Sequence, residues 1–286
     1  MAIVLDNITY TYGMGTPFEK TALRGVSLTI ENGEFLGVIG HTGSGKSTFV
    51  QHLNGLLHPT TGTVTVNGVD ISASTEEAKK MRHKVGMVFQ YPEHQLFEET
   101  IAQDIAFGPK NLGLSADDVD ERVRDAMKFV GLDYDTYAER SPFHLSGGQM
   151  RRVAIASVVA MDPEFLVLDE PSAGLDPFGR EEIFEEIIRL HKEKGITVIL
   201  VSHNMEDISR MASRLVVLDK GRIVLDGEPM DIFNNHRDEL QAVGVDVPPV
   251  SVTMEYLREQ GLDVSNRVLS VDDAVQAILE GGNHVK

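Results

Sequence analysis

Residues 40–48 read GHTGSGKST and follow directly on the apolar run FLGVI. Glycines at this spacing let successive backbone N–H groups turn inward around an anion, and a helix beginning at the lysine adds the positive end of its dipole. The segment fits G-x-x-x-x-G-K-[ST], a loop that cradles a polyphosphate. In that pattern Gly40, His41, Thr42, Gly43, Ser44, Gly45 and Thr48 surround the phosphates, Lys46 reaches the β and γ groups, and the Ser47 hydroxyl holds Mg2+. A flexible Gly/Ser loop without a ligand is the rival reading. A strand before it and a helix after it argue against that rival.

FLVLDEP, at 165–171, ends a strand-like run on two acids. In open α/β sheets ligands collect beyond the carboxyl ends of the strands, which puts Asp169 beside the phosphate loop as the carboxylate that orients magnesium. Glu170, one residue on, is placed to polarise an attacking water as general base, a role that typically contributes about 10²–10⁴-fold in rate. LSGGQ, at 145–149, opens the helix-like QMRRVAIASVVAM with Ser146, Gly147, Gly148 and Gln149, where free N–H groups and the dipole favour another anion. The chain therefore carries two phosphate cradles. Gln90 and His203, each taken alone, read as ordinary polar residues at strand ends.

The elements that must position these groups follow from local patterning. IVLDNITYTY, ALRGVSLTI and FLGVIG are β-rich, and TVTVNGVDI predicts a hairpin because Asn67 and Gly68 supply the two positive φ angles of a type I′ turn. From Thr100 to about Met161 the pattern is helical: SADDVDERVRDAMKFV starts on an N-cap serine, carries acids in its first turn and repeats apolar Val119, Val123, Met127 and Val130. FLVLD, TVILV and RLVVLD then alternate with helical segments, the spacing of an α/β unit around a buried parallel sheet. Beyond about Asn235, Pro248 and Pro249 interrupt the chain, and SVDDAVQAIL predicts a helix capped by Ser270 with Asp273.

Bulk properties set outer limits. The chain has 286 residues, 42% of them hydrophobic and 24% charged, and no cysteine, so disulfides and thiolate metal sites are excluded. A formal net charge of −18 repels nucleic-acid phosphate, and the basic clusters Lys79-Lys80 and Arg151-Arg152 are too short to offset it, so no nucleic-acid partner is expected.

The order of GHTGSGKST, Gln90, LSGGQ, FLVLDE, SAGLD (172–176) and His203 resembles the nucleotide-binding subunits of ABC transporters over roughly residues 1–235. The resemblance implies an α/β fold, a P-loop NTPase of ABC ATPase type. Its expected parts are an N-terminal antiparallel β subdomain, a parallel-sheet core, a helical subdomain inserted at about 92–161 and a small C-terminal extension, 236–286. It implies ATP and Mg2+ as cofactors, with Gln90 sensing the magnesium and the attacking water, His203 contacting the γ phosphate, and Asp176 in the loop that couples two sites. It implies a dimer, because Ser146, Gly147, Gly148 and Gln149 of one subunit cover the γ phosphate held by another. A tyrosine near the start stacks on adenine in this family; Tyr12 fits better than Tyr10 by its place, and plain packing is equally open for both.

PEHQLFEETIAQDIAFGP (92–109) resembles the ATPases of energy-coupling factor (ECF) transporters, importers of vitamins and transition-metal ions. HTGSGKST with QHLNGLL, and DEPSAGLDP, resemble the second of the two paired ATPases in that complex, which implies a heterodimer with a similar but distinct subunit. The C-terminal extension then helps hold the pair. A transmembrane coupling subunit is expected to dock near residues 90–99, with Leu96 and Phe97 meeting its apolar side chains and Glu93, Glu98 and Glu99 its arginines. The alternative is that Leu96 and Phe97 cap the helical subdomain internally. A membrane-embedded substrate-binding subunit is reached only indirectly, and the chain is placed peripherally on the cytoplasmic face. Soluble repair or translation ATPases of the same superfamily carry coiled coils or tandem nucleotide domains for which the spacing from Lys46 to Asp169 leaves no room, and a non-hydrolysing subunit is disfavoured by the presence of Glu170 and His203.

Overall fold

The computed structural model describes residues 1–282. Its strands, in chain order, are β1 (Ala2–Tyr12), β2 (Lys20–Glu31), β3 (Phe35–Ile39), β4 (Thr61–Val66), β5 (Val69–Asp70), β6 (Val85–Val88), β7 (Phe165–Asp169), β8 (Thr197–Val201), β9 (Arg214–Asp219) and β10 (Arg222–Gly227). One sheet, ordered β2-β1-β4-β5, is antiparallel throughout. The other, ordered β10-β9-β3-β8-β7-β6, is parallel except for its β9–β10 hairpin. Asn67 (φ 52°) and Gly68 (φ 82°) make the predicted turn between β4 and β5.

Alternation along the buried strands divides the interior into two cores. In β3, Phe35 and Ile39 face one core while Leu36 and Val38 face the other; β7 and β8 split in the same way, Leu166 and Leu168 against Phe165 and Val167, Val198 and Leu200 against Ile199 and Val201. The first core takes the helices of the 101–159 region and the helix Pro177–Lys194; the second takes the antiparallel sheet and the helix Lys46–Leu53. Strands buried on both faces are why these segments read as unbroken apolar runs.

The helical region contains Ile101–Asn111, Ala116–Phe129, Tyr134–Tyr137 and Gly147–Val159. Ser115 caps the second of these, accepting from the Asp118 N–H at 3.2 Å, and Val119, Val123, Met127 and Val130 are all buried as the periodicity predicts. At the C-terminus, Leu240, Val245 and Val247 belong to the same core as the parallel sheet, so that core runs past the boundary expected at Asn235. A separate small cluster of Met254, Val264, Val268 and Ala274 then holds the helices Pro249–Glu259 and Val271–Gly282 together, and the Asp273 N–H donates to Ser270 Oγ at 3.1 Å.

The paired expectation for Leu96 and Phe97 divides. Leu96, just after the 3₁₀ turn Pro92–Gln95, is 6% exposed and enters the first core, whereas Phe97 is 58% exposed and sets its ring edge-to-face on Phe107 at 4.9 Å. Glu93 is likewise not free for a partner's arginine, because its carboxylate lies 3.3 Å from the buried Arg151 guanidinium. Truncating Leu96 to alanine is expected to cost about 2–5 kcal/mol in urea unfolding, and the same change at Phe97 less than about 1 kcal/mol. Equal losses at the two positions would contradict this division of roles.

Candidate functional site

β3 ends at Ile39, and the chain then turns through Gly40 (φ 151°), Gly43 (φ 86°) and Gly45 (φ 111°) into the helix Lys46–Leu53. A Cβ on Gly40 would lie 2.3 Å from the Leu218 carbonyl oxygen and 2.6 Å from Ser44 Oγ, so only glycine fits. Gly45 occupies the N-cap without any side-chain cap, unlike Thr75, Thr100, Ser115 and Ser146 at their own helices. The N–H groups of this first turn are therefore left for a ligand.

Lys46 is 6% exposed, and its Nζ donates to the carbonyls of Gly40 (2.6 Å) and His41 (3.1 Å) rather than to a carboxylate. Burial pulls its pKa down, opposed by the charges of Glu170 and Asp169. A buried ammonium held only by carbonyls, beside an uncapped helix start, fits a polyphosphate. Ser44 Oγ, fully buried, has no hydrogen-bond partner either. His41 lies to one side, Nδ1 against the Thr42 carbonyl at 2.8 Å and Nε2 against Asp219 Oδ1 at 3.0 Å.

The parallel register brings the end of β7 beside this loop. Burial raises the pKa of Asp169, while the Ser47 hydroxyl, Lys46 and His203 act in the opposite direction. Ser47, Gln90 and Asp169 line the same cavity and offer a hydroxyl, an amide and a carboxylate, hard oxygen donors of the kind Mg2+ prefers. Glu170 sits at φ 52°, and its N–H donates to the Val201 carbonyl of β8 at 3.0 Å. Its side chain is 13% exposed, with Oε1 at 3.3 Å from His203 Nε2 but outside hydrogen-bonding alignment, which leaves that oxygen unpartnered. Burial, opposed by the His203 backbone N–H and helped by Asp169, raises the Glu170 pKa from 4.5 to about 7. His203 is pulled down by burial and by Lys46, which favours the neutral ring.

These groups share one cavity of about 930 Å³ with Tyr12, Thr42, Gly43, Gly45 and Thr48. Tyr12 is half exposed on the cavity wall and its hydroxyl is 3.1 Å from Thr48 Oγ1; Tyr10 instead packs on His52, with ring centroids 4.9 Å apart, against the second core. The cavity wall also includes Lys20 and Arg24 near β2, and Lys220 and Arg222 from the β9–β10 turn. Sequence reading did not single these out, because no local motif marks them and only the approach of β10 to β2 gathers them.

Ser146, Gly147, Gly148, Gln149 and Asp176 are not on this cavity. Ser146 and Gln149 form a reciprocal capping box, with Gln149 N–H to Ser146 Oγ at 3.3 Å and Ser146 N–H to Gln149 Oε1 at 3.1 Å. Gln149 also donates to the Tyr137 hydroxyl at 3.3 Å, so its amide braces the turn. A Cβ on Gly147 or Gly148 would meet nothing within 4 Å, and the loop faces open space. Asp176 caps the helix Pro177–Lys194 by accepting from the Gly179 N–H at 2.7 Å.

The raised carboxylate pKa has a consequence for stability. A folded-state pKa of about 7 against 4.5 unfolded means the native chain binds the extra proton, so the penalty for ionising Glu170 is absent below pH 4.5 and complete above pH 7. Glu170→Gln, measured without nucleotide or divalent ion, is expected to stabilise the chain by about 3 kcal/mol at pH 8 and by less than about 1 kcal/mol at pH 5. Denaturant melts at the two pH values check this; a gain independent of pH would place the carboxylate in a different environment.

Residues 23–173 match the ABC transporter family. The energy-coupling factor transporter ATP-binding protein EcfA2 of Clostridium tetani (strain Massachusetts / E88) is 53% identical over 280 residues, which is 98% of this chain and 97% of that protein. Among solved structures, cbiO1 from Clostridium perfringens, described as part of the ABC transporter complex cbiONQ, aligns with a TM-score of 0.74 at 34% identity, covering 90% of this chain and 98% of that one. An ATP-binding cassette solved as a dimer in a post-hydrolysis state with ADP and Pi aligns at 0.70 and 30% identity, over 79% of this chain and 98% of its own. With the phosphate loop, the paired acids and the ordered motifs in place, this chain belongs to the ATP-binding, ATP-hydrolysing subunits of ECF-type ABC transporters.

Proposed function

We propose that the chain works as half of a heterodimer in which two ATP molecules close the pair, and hydrolysis reopens it, to drive uptake of a vitamin or transition-metal ion through membrane subunits. The observation that carries this reading is an incomplete site: one cavity gathers Lys46, Ser47, Gln90, Asp169, Glu170 and His203, while the Ser146–Gly148 cradle stands away from it facing open space. A second subunit can supply that cradle, and the dimeric post-hydrolysis cassette is a relative in which two subunits meet. ATP drives closure only insofar as it binds the closed pair better than the open one.

In this reading Tyr12 stacks on adenine, the N–H groups of residues 42–48 hold the phosphates, and Lys46 neutralises the γ group as it leaves its two carbonyls. Ser47 and Asp169, with Gln90, would hold Mg2+, which when bound would supply positive charge against the phosphates. Glu170 Oε1, free of other hydrogen bonds, accepts the proton of the attacking water, and a carboxylate whose pKa is near 7 is well matched to do so at neutral pH. His203, neutral and beside Glu170, orients the γ phosphate. Asp176 shapes the loop that faces the neighbouring site.

The nucleotide-binding unit is assigned to about residues 1–235 with its core reaching Val247, and the remainder to the pairing of ATPases. On the helix Val271–Gly282, exposed Val271, Val275 and Leu279 recur every four residues and form an apolar stripe suited to that contact. Among the described residues no helix is long and apolar enough to cross a membrane; in this reading a docked membrane subunit holds the chain on the cytoplasmic face. The apolar cleft of about 320 Å³ that includes Phe97, Phe107, Leu112 and Met161, with Glu98 and Glu99 following Phe97 in the chain, suits an amphipathic helix bearing arginines.

Glu170→Gln is expected to lower ATP turnover about 10²–10⁴-fold with ATP binding retained and the closed dimer accumulating, read by light scattering; undiminished turnover moves the base elsewhere. Replacing Glu98 and Glu99 together by lysine is expected to release the chain from membranes while leaving soluble ATP binding intact. Unchanged membrane recovery would refute docking at this cleft.

A further inference from the structure

Arg151 stands two residues beyond LSGGQ on the helix Gly147–Val159, yet it is 3% exposed and its guanidinium is spent on two other segments. One terminal nitrogen donates to the carbonyls of Pro171 at 3.0 Å and Ala173 at 2.9 Å. The other donates to Glu93 Oε2 at 3.3 Å. Its Nε is buried without a partner, so these three contacts hold the group.

Pro171 and Ala173 belong to the turn that begins at Glu170, closed by the Ala173 N–H donating to the Glu170 carbonyl at 3.1 Å. Glu170 itself is in the left-handed region, a conformation that a glutamate keeps only where its surroundings over-determine it. On one side β8 does so, through the Val201 carbonyl; on the other, Arg151 holds the two carbonyls that follow. Glu93 lies in the turn Pro92–Gln95, which begins two residues beyond Gln90.

We propose that Arg151 is a positioning residue for hydrolysis: it fixes the turn that aims Glu170, and through Glu93 it ties that turn to the segment following Gln90. The inference rests on the assignment of Glu170 as the base. Arginine suits the task because its planar fork reaches two carbonyls and a carboxylate at once, whereas a lysine ammonium in the same space cannot keep all three. Loss of the fork leaves the turn free to relax, and a displacement of about 1 Å at a reacting group costs about 10²-fold in rate.

The test uses the full chain purified with the subunits it brings from the membrane, comparing Arg151→Met, Arg151→Lys, Glu93→Gln and Glu170→Gln. ATP turnover at saturation and the Kd of a fluorescent ATP analogue are measured for each. Arg151→Met is expected to slow turnover about tenfold or more, with the Kd within about twofold of the parent, and Arg151→Lys and Glu93→Gln to slow it about threefold. If Arg151→Met fails to fold, the other two variants decide: slower turnover at unchanged Kd supports the proposal, and parental rates in both overturn it. Affinity and turnover falling in step also overturn it, since Arg151 is then a general scaffold residue. Full activity in Glu170→Gln removes the underlying assignment, whereas an inactive Glu170→Gln beside a fully active Arg151→Met removes only the role of Arg151.

Discussion

A buried ammonium without a carboxylate partner is unstable unless something else meets its charge, and Lys46 is in that condition. The two carbonyls that hold it are a stopgap: they accept its protons but carry no full negative charge. Two acids lie close enough to raise its pKa, yet both are themselves pushed upward by burial. The site is thus a set of titratable groups held at the mouth of the parallel sheet with their mutual charges incompletely settled. The negative charge of ATP phosphates meets the positive charge of Lys46, which is why ligand binding and the architecture around Lys46 belong together.

The rest of the fold serves to hold that imbalance in place. Strands β3, β7 and β8 are apolar on both faces because each face fills a different core, and their carboxyl ends deliver the Thr42–Thr48 part of the glycine loop, Asp169 and His203 to one cavity. The helix after β3 begins on Gly45 with no side-chain cap, while the helix Gly147–Val159 spends Ser146 on its own third N–H. Two helix starts that look alike as motifs therefore differ: one is open inside the cavity, the other partly satisfied and facing outward. The proposed pairing gives this difference a use: the outward-facing start would complete a partner's cavity, so that each chain contributes half of two sites.

The segment after Gln90 shows how packing redistributes residues of one type. Of three glutamates there, Glu93 is consumed by Arg151 inside the protein, while Glu98 stays partly exposed and Glu99 exposed. Leu96 enters the core and Phe97, its neighbour, stays outside, because an extended residue between the 3₁₀ turn and the next helix sends adjacent side chains to opposite sides. The same buried guanidinium that claims Glu93 also grips the turn after Glu170, so the segment following Gln90 and that turn share a contact.

Motifs whose chemistry is carried by consecutive residues were legible directly: GHTGSGKST, FLVLDE and LSGGQ, the Asn67-Gly68 turn, and the Ser115 cap with its apolar repeat. In each of these the cause is local, a φ angle, an N–H to be satisfied or a period of 3.6 or 2, and a local cause leaves a local trace. What the chain order alone did not decide were the assignments that depend on contacts between distant segments. These include the basic residues of β2 and β10 around the cavity, the placing of Tyr12 on the cavity wall with Tyr10 packed against His52, the fate of Glu93, and the continuation of the core to Val247. Each was settled by burial and charge pairing between residues far apart in sequence, quantities that exist only once the sheets and helices have packed.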